Sequence, residues 1–422
     1  VRPSAALLVR VLAGVAPAAG LAACPPSALE GVAPTPGELT YIQLGMPSEP
    51  FLPTGESAII VGPDGTLVLV DVGSADHADN VRDAVWELNT RLLTPTRGYT
   101  ARQPLQVDWL VVTHFHVDHV GAVPRLADGA DALTGLKGIV HRGYVDVGRS
   151  LSGPDYHQFC LRARGGWAAR DVTLCQAEVE APCAPWDFNG PHPATGCRGL
   201  LQGSLDHPRP GAGPTSIPLG HGSRLTFLAA NGHVVSGTDT VGMEGIGHAV
   251  DNQENARNLV SLLSHGLFRA LLAGDLTGAG GEIVPDVESH VVNHLTGTYL
   301  GPRGVDVAHA SHHARRTSSN ATWVDALAPR DGRSRNVVTG ITPLFAGSPH
   351  RDVLSRWLDG GRLGDGFLWA THVAVGGSRH PRLRNAMGSV VIQTALQGRR
   401  YAVFSSRDPA GAAWYRSVHA EE

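Results

Sequence analysis

The chain has 422 residues, 42% of them hydrophobic, and a formal net charge of -4. That supplies a large buried core and excludes the strongly basic field by which proteins hold long duplex DNA. Lys137 is the only lysine, so nearly all positive charge is arginine.

In chain order, Arg2 and Arg10 bound a short positive region. Val11 to Ala23 is apolar, rich in small residues and too short to span a bilayer. It ends Leu21-Ala22-Ala23-Cys24 and resembles a bacterial lipoprotein signal, with Cys24 lipidated after cleavage. The expectation is export, as a cell-envelope lipoprotein or a secreted protein, with membrane contact only through Cys24. Residues 25–38 are proline-rich, like a tether. The folded unit is expected over 39–422.

A short strand is expected at 41–44. Residues 57–61 and 66–70 are β-type runs joined by Gly62-Pro63-Asp64-Gly65, a hairpin signal, and the second runs into Asp71-Val72-Gly73. Val81, Ala84, Val85 and Leu88 keep a 3.6-residue period, which predicts a helix over 78–93. Val107 to Val112 is the next strand, and a helix begins at Gly121. From about 141 to 215 the pattern dissolves into Gly, Pro, Cys and aromatic residues, read as a loop-rich insertion. Cys160, Cys175, Cys183 and Cys197 fall inside it. In an exported protein they predict two disulfides in one of three pairings. Further strands are expected at 224–230, 259–263, 270–273, 305–308, 336–339, 367–371, 389–394 and 401–405, with helices at 319–327 and 349–358.

The strongest signal is Thr113-His114-Phe115-His116-Val117-Asp118-His119, straight after the 107–112 strand. Three imidazoles and a carboxylate bunched at the end of a buried strand are costly to place without a partner. They are the usual ligands of zinc and also suit manganese or iron. Asp71, Asp275 and His312 likewise follow apolar β-type runs, and strand ends on one sheet edge converge on a single site.

On these residues the chain resembles the metallo-β-lactamase superfamily. HxHxDH is matched by His114, His116, Asp118 and His119. The upstream Asp-x-Gly is Asp71-Val72-Gly73, the later Gly-Asp is Gly274-Asp275, and the late histidine falls in His312-His313. Within it, the look is nearest to the hydrolase domain of ComEC-type competence proteins. Asn255 to Val260, Leu271 to Asp275 and His312 to Ser319 match its phrases, with Ala314 in place of the usual glycine and Asn258 in place of serine.

The resemblance implies an α/β fold, a four-layer αββα sandwich, with two divalent metal ions, zinc by preference. His114 and His116 would bind one ion, Asp118, His119 and His312 the other, and Asp275 both. Asp71 would orient a ligand histidine, and Asp118 would orient a hydroxide held between the ions. A third histidine on the first ion would be His233 or His248, or absent. The implied activity is hydrolysis of phosphodiesters, with a nucleotide or extracellular nucleic acid as substrate. The alternatives are hydrolysis of a lactone, ester or β-lactam at the same centre, or a non-catalytic surface metalloprotein. Residues outside the metal centre set the substrate, and no protein partner is implied.

Overall fold

The computed structural model describes residues 29–46, 55–144, 153–175, 183, 197, 199–209, 211–243, 254–279, 284–343 and 346–420. Residues 1–28, on which the expected export segment and Cys24 fall, and His248 lie outside the described residues.

The first half of the chain runs β1 (Thr40–Gln43), β2 (Ala58–Val61), β3 (Leu67–Val70), α1 (Ala78–Glu87), β4 (Trp109–Val112), α2 (Val117–Val120), α3 (Val123–Ala127), β5 (Gly138–His141), α4 (Gly153–Arg164) and β6 (Asp171–Thr173). After β7 (Ser216–Pro218) come β8 (Arg224–Ala230), β9 (His233–Ser236), β10 (Asp239–Gly242), β11 (Val260–His265), β12 (Phe268–Leu272) and α5 (Val287–Leu295). Then follow β13 (Val307–His309), the single turn α6 (Ser311–Ala314), α7 (Ala321–Leu327), β14 (Asn336–Thr339), α8 (Arg351–Leu358) and β15 (Leu368–Ala370). The chain closes with β16 (Leu383–Asn385), β17 (Val390–Ala395), β18 (Arg400–Ser405) and β19 (Asp408–Arg416).

Two sheets result. The first has the order β19-β18-β17-β1-β2-β3-β4-β5-β6, and the second β10-β9-β8-β11-β12-β13-β14-β15-β16 with β7 beside β8. Side-chain alternation along each strand builds three apolar layers. Ile60, Val68, Val111, Leu225, Leu263 and Ala270 fill the space between the sheets. The intervening residues Ile59, Leu69 and Leu110 face outward, where Val81, Val85 and Phe159 cover them. On the far side Leu228 and Leu271 lie under Val291, Trp323 and Trp357. The architecture is the four-layer αββα sandwich.

Two parallel runs place the site. β3, β4, β5 and β6 are parallel neighbours, as are β12 to β16. Parallel strands bring their C-terminal ends to one edge, where open α/β sheets present binding residues.

The stretch read as a loop-rich insertion differs in part: 153–164 is helix and 171–173 a strand of the first sheet. Polar and charged residues in that stretch hide the apolar period, whose buried face is Tyr156, Phe159, Cys160 and Ala163. The β9–β10 hairpin, α5, β16 and β19 were also not anticipated. The disulfides are Cys160–Cys183 and Cys175–Cys197, each with Cα atoms 5.4 Å apart. They tie α4 to Cys183 and the residues just after β6 to Cys197.

Candidate metal centre

The centre is assembled from five chain segments. After β3 the backbone turns at Asp71, in the left-handed region at φ 55°. Its carboxylate accepts from Thr113 N at 2.8 Å, from the Thr113 hydroxyl at 2.6 Å and from His119 Nδ1 at 2.8 Å. The Thr113 oxygen lies 3.1 Å from His114 Nδ1 and, having given its proton to Asp71, accepts there. Both imidazoles thereby turn Nδ1 to an oxygen and Nε2 into the cluster, where His114 Nε2 lies 3.0 Å from His116 Nδ1 and His119 Nε2 lies 3.4 Å from Asp275 Oδ1.

Glu254 supports the same loop from the segment before β11. Its Oε1 accepts from Phe115 N at 2.8 Å, and its Oε2 pairs with Arg142 at 2.6 Å. The Arg142 guanidinium lies 4.5 Å from the centre of the Phe115 ring, closing the layer beneath the histidines.

Asp275 arrives after β12 through Gly274, at φ 46°, where any Cβ would collide with Asn258 Oδ1 and Thr113 Oγ1. Asn258 Oδ1 accepts from Asp275 N at 3.1 Å. The asparagine in place of serine thus has a direct role in setting the aspartate.

His312 and His313 separate sharply. Together with Ala314 they stand at φ values of 53°, 51° and 56°, a left-handed corner rather than a helix. His313 turns inward: Nδ1 donates to Gly340 O at 2.8 Å, and Nε2 lies 3.3 Å from Asp118 Oδ2 and 3.5 Å from Asp275 Oδ2. His312 turns toward the opening. Its Nε2 faces the Asn255 amide at 3.1 Å and its Nδ1 the Thr317 hydroxyl at 2.6 Å, with Asp275 Oδ2 3.9 Å away.

Two groups of potential donor atoms converge. Glu56, His119, Asp275 and His313 form one, and His114, His116 and Asp275 the other, each within 4.8 Å. Among the described residues no further histidine joins either group: the His233 ring packs over Gly242 on the β9–β10 hairpin. Glu56 escaped the sequence reading because it precedes β2 instead of following a strand. β2 is antiparallel to β3, so its start lies beside the end of β3, and Ser57 Oγ donates to Asp71 O at 2.9 Å. Asn255 and Thr317 were also missed as partners of His312; only their nearness in sequence to the matched phrases pointed to them.

The donor set fits a divalent cation. His116 Nε2, His119 Nε2, Asp275 Oδ1 and Glu56 Oε2 are buried without a hydrogen-bond partner among the described residues. Such atoms are costly unless something positive satisfies them. Charge says the same. Burial opposes a charged His119, yet Asp275, Asp71 and Asp118 hold it well above the usual histidine range. His313, also opposed by burial, is raised to about 10, chiefly by Asp275. Burial would raise Asp118, but His119 and His313 bring it down to about 2. Protons on two histidines balance the clustered carboxylates, and a cation would displace them. Burial lowers His114 well below the usual range and His312 to about 4, so both stay neutral.

Over the cluster opens a pocket of about 410 Å³, lined by His116, Asp118, Asn255, Thr277, His312, Arg315 and others. Arg316 points away, 3.6 Å from exposed Asp352. His350 Nδ1 accepts from Asp352 N and caps α8.

Comparison with known proteins finds one family match, in the first half of the chain. Residues 52–146, which hold Asp71 and the whole cluster through His119, match the model of the Metallo-beta-lactamase superfamily. No curated protein matches the chain. Among solved structures it is similar to a Cronobacter sakazakii (Enterobacter sakazakii) metallo-beta-lactamase described as HARLDQ motif mutant S60. The identity is 15%, over 63% of this chain and 78% of that one, with a TM-score of 0.29. It is also similar to a protein of unknown function from Enterococcus faecalis V583, 12% identical over 83% of this chain and 73% of that one, with a TM-score of 0.24.

Proposed function

We propose that this chain is an exported, metal-dependent hydrolase of phosphodiester bonds, with a nucleotide or extracellular nucleic acid as substrate. The observation that carries the reading is the lining of the pocket over the cluster. Arg315, Thr277 and Thr317 line it beside Asp118 and Asp275. The Arg315 guanidinium and the Thr317 hydroxyl suit the non-bridging oxygens of a phosphodiester, whereas the Thr277 hydroxyl donates to Pro285 O.

In this reading His114, His116 and Asp275 hold one divalent cation. Asp118, His119, Asp275 and His313 hold a second, with Glu56 behind them. His313 takes the place that the sequence pattern assigned to His312, because its Nε2 is the one facing the carboxylates. Zinc suits the donors best, with manganese or iron as alternatives. Such ions supply Lewis acidity and lower the pKa of bound water. Asp118, held anionic, accepts a hydrogen bond from the attacking water and orients it. His312, fixed by Asn255 and Thr317, walls the pocket as a neutral ring and positions the substrate. The disulfides fit an oxidising compartment, which supports export.

A second reading, opening of a lactone, ester or β-lactam, is favoured by Val117 and Val284 in the same lining. One experiment separates them. The purified protein is assayed for bound metal and offered bis-p-nitrophenyl phosphate, nitrocefin and a lactone. Diesterase activity abolished by Asp275→Ala supports the first reading. Turnover of nitrocefin or the lactone alone moves the assignment to the second, and absence of bound transition metal rejects both.

A further inference from the structure

The outer face of the second sheet changes character toward the start of β8 and β12. Leu228, Leu262 and Leu271 pack beneath the helices. One row further on stand Arg224 on β8, Ser264 on β11 and Arg269 on β12. Ser264 is the register partner of both arginines. Directly opposed residues point to the same face, so the two guanidinium stems flank one hydroxyl. Their Cα atoms are about 10 Å apart, two strand spacings.

This row forms the floor of a cavity of about 550 Å³. Pro214, His221, Thr298 and Tyr299 wall it, and among the described residues no acidic side chain lines it. Neither guanidinium has an ion pair among the described residues. The best-buried arginines differ from this pair. Arg102, Arg142, Arg335 and Arg362 each meet a carboxylate, and acids outnumber bases 38 to 34. Together the two guanidinium groups give the cavity a positive field that an anion would complement. The cavity is separate from the metal centre: Arg269 is near the start of β12 and Asp275 is beyond its end, about 20 Å along the strand direction.

We propose that this cavity binds a small phosphorylated compound of sugar-phosphate size, its phosphate held between Arg224 and Arg269. Guanidinium forks match tetrahedral oxyanions. The hydroxyls of Ser216, Thr226 and Ser264 suit a polyhydroxyl body, and the Tyr299 ring and Pro214 give it an apolar wall. The volume falls in the range of small-ligand sites, roughly 300–1,000 Å³.

The test is calorimetric titration of the intact protein with glucose 6-phosphate and with glucose. Glucose 6-phosphate should bind and glucose should not. The Arg224→Gln/Arg269→Gln variant should bind at least about tenfold more weakly, the loss expected from removing charge-assisted hydrogen bonds. Asp275→Ala should bind as the wild type does, which separates this site from the metal centre. Arg224→Gln alone, at an exposed position, gives the same comparison should the double variant unfold. Equal binding of glucose, no binding at millimolar concentration, or a loss in Asp275→Ala in place of the arginine variants would overturn the assignment.

Discussion

Glu56 Oε1 lies 2.6 Å from His309 Nε2, across 253 residues of sequence, and both side chains are buried. The carboxylate also accepts from Gln43 Nε2 at 3.0 Å and Gly340 N at 3.3 Å, and its other oxygen is 3.4 Å from His313 Nδ1. One acid at the start of β2 thus joins the two sheets behind the donor cluster. Glu56→Ala leaves these donors without their acceptor. It should destabilise the fold by about 3–5 kcal/mol, the usual cost of breaking a buried charged pair, and lower the metal content. Urea unfolding with metal analysis checks both; a change under about 1 kcal/mol in the unfolding free energy would count against the role.

Asp71 touches no pocket surface, yet it orients His119 directly and His114 through Thr113. Asp71→Asn should therefore weaken metal binding by about 10–100-fold without removing a donor. Competition with a chromophoric chelator measures this. An unchanged affinity would show that the histidines hold their orientation unaided.

The neighbours His312 and His313 should behave differently. His313→Ala removes an imidazole that faces Asp118 and Asp275 and should cost about one equivalent of bound metal. His312→Ala should keep the metal and lose turnover, since its nitrogens engage Asn255 and Thr317. The reverse pattern in elemental analysis would restore His312 as the ligand.

A pH effect arises away from the centre. Burial raises the Glu288 carboxyl from 4.5 to about 8, although the Asn320 and Ser319 amides oppose the shift. Burial raises Asp306 in the same direction, to about 7. The folded chain then keeps protons that the unfolded chain has released. The stability linked to Glu288 is complete below about pH 4.5, falls as pH rises and is lost through about pH 8. Between pH 7 and 8, where Glu288 keeps more of its proton than Asp306, Glu288→Gln should flatten the decline seen in the wild type. Parallel denaturation curves across that interval test it, and identical slopes would contradict it.

The disulfides hold α4 to Cys183 and the residues just after β6 to Cys197. Replacing Cys160 and Cys183 together by serine should lower stability by about 2–5 kcal/mol. A thermal melt compared with the wild type, with and without reductant, reads the effect; an unchanged melting temperature would show that packing alone keeps α4 in place.

Much of the architecture was readable before folding. The apolar runs at 107–112, 270–273 and 305–308 lie on strands of the sheets, and the residues behind them gather at one edge. The period and composition of a strand are local properties. The helix over 153–164 was not readable, because only one narrow face of it is apolar and a disulfide supplies part of its anchoring. Glu56 was hidden by strand direction: an acid before a strand reaches the same edge as one after it only when the pair is antiparallel.

The residue order by itself determined that His114, His116, Asp118 and His119 leave one strand end together, since six residues after a buried strand cannot travel far. Tertiary structure decided which atoms meet. Adjacent His312 and His313 are equivalent by sequence, and a corner at positive φ, imposed by packing on β14 and on the loop at Gly340, sends one ring to the carboxylates and the other to the pocket. The same holds for Arg224 and Arg269. Each is an ordinary arginine in the sequence, and only the register of three strands sets them on either side of Ser264.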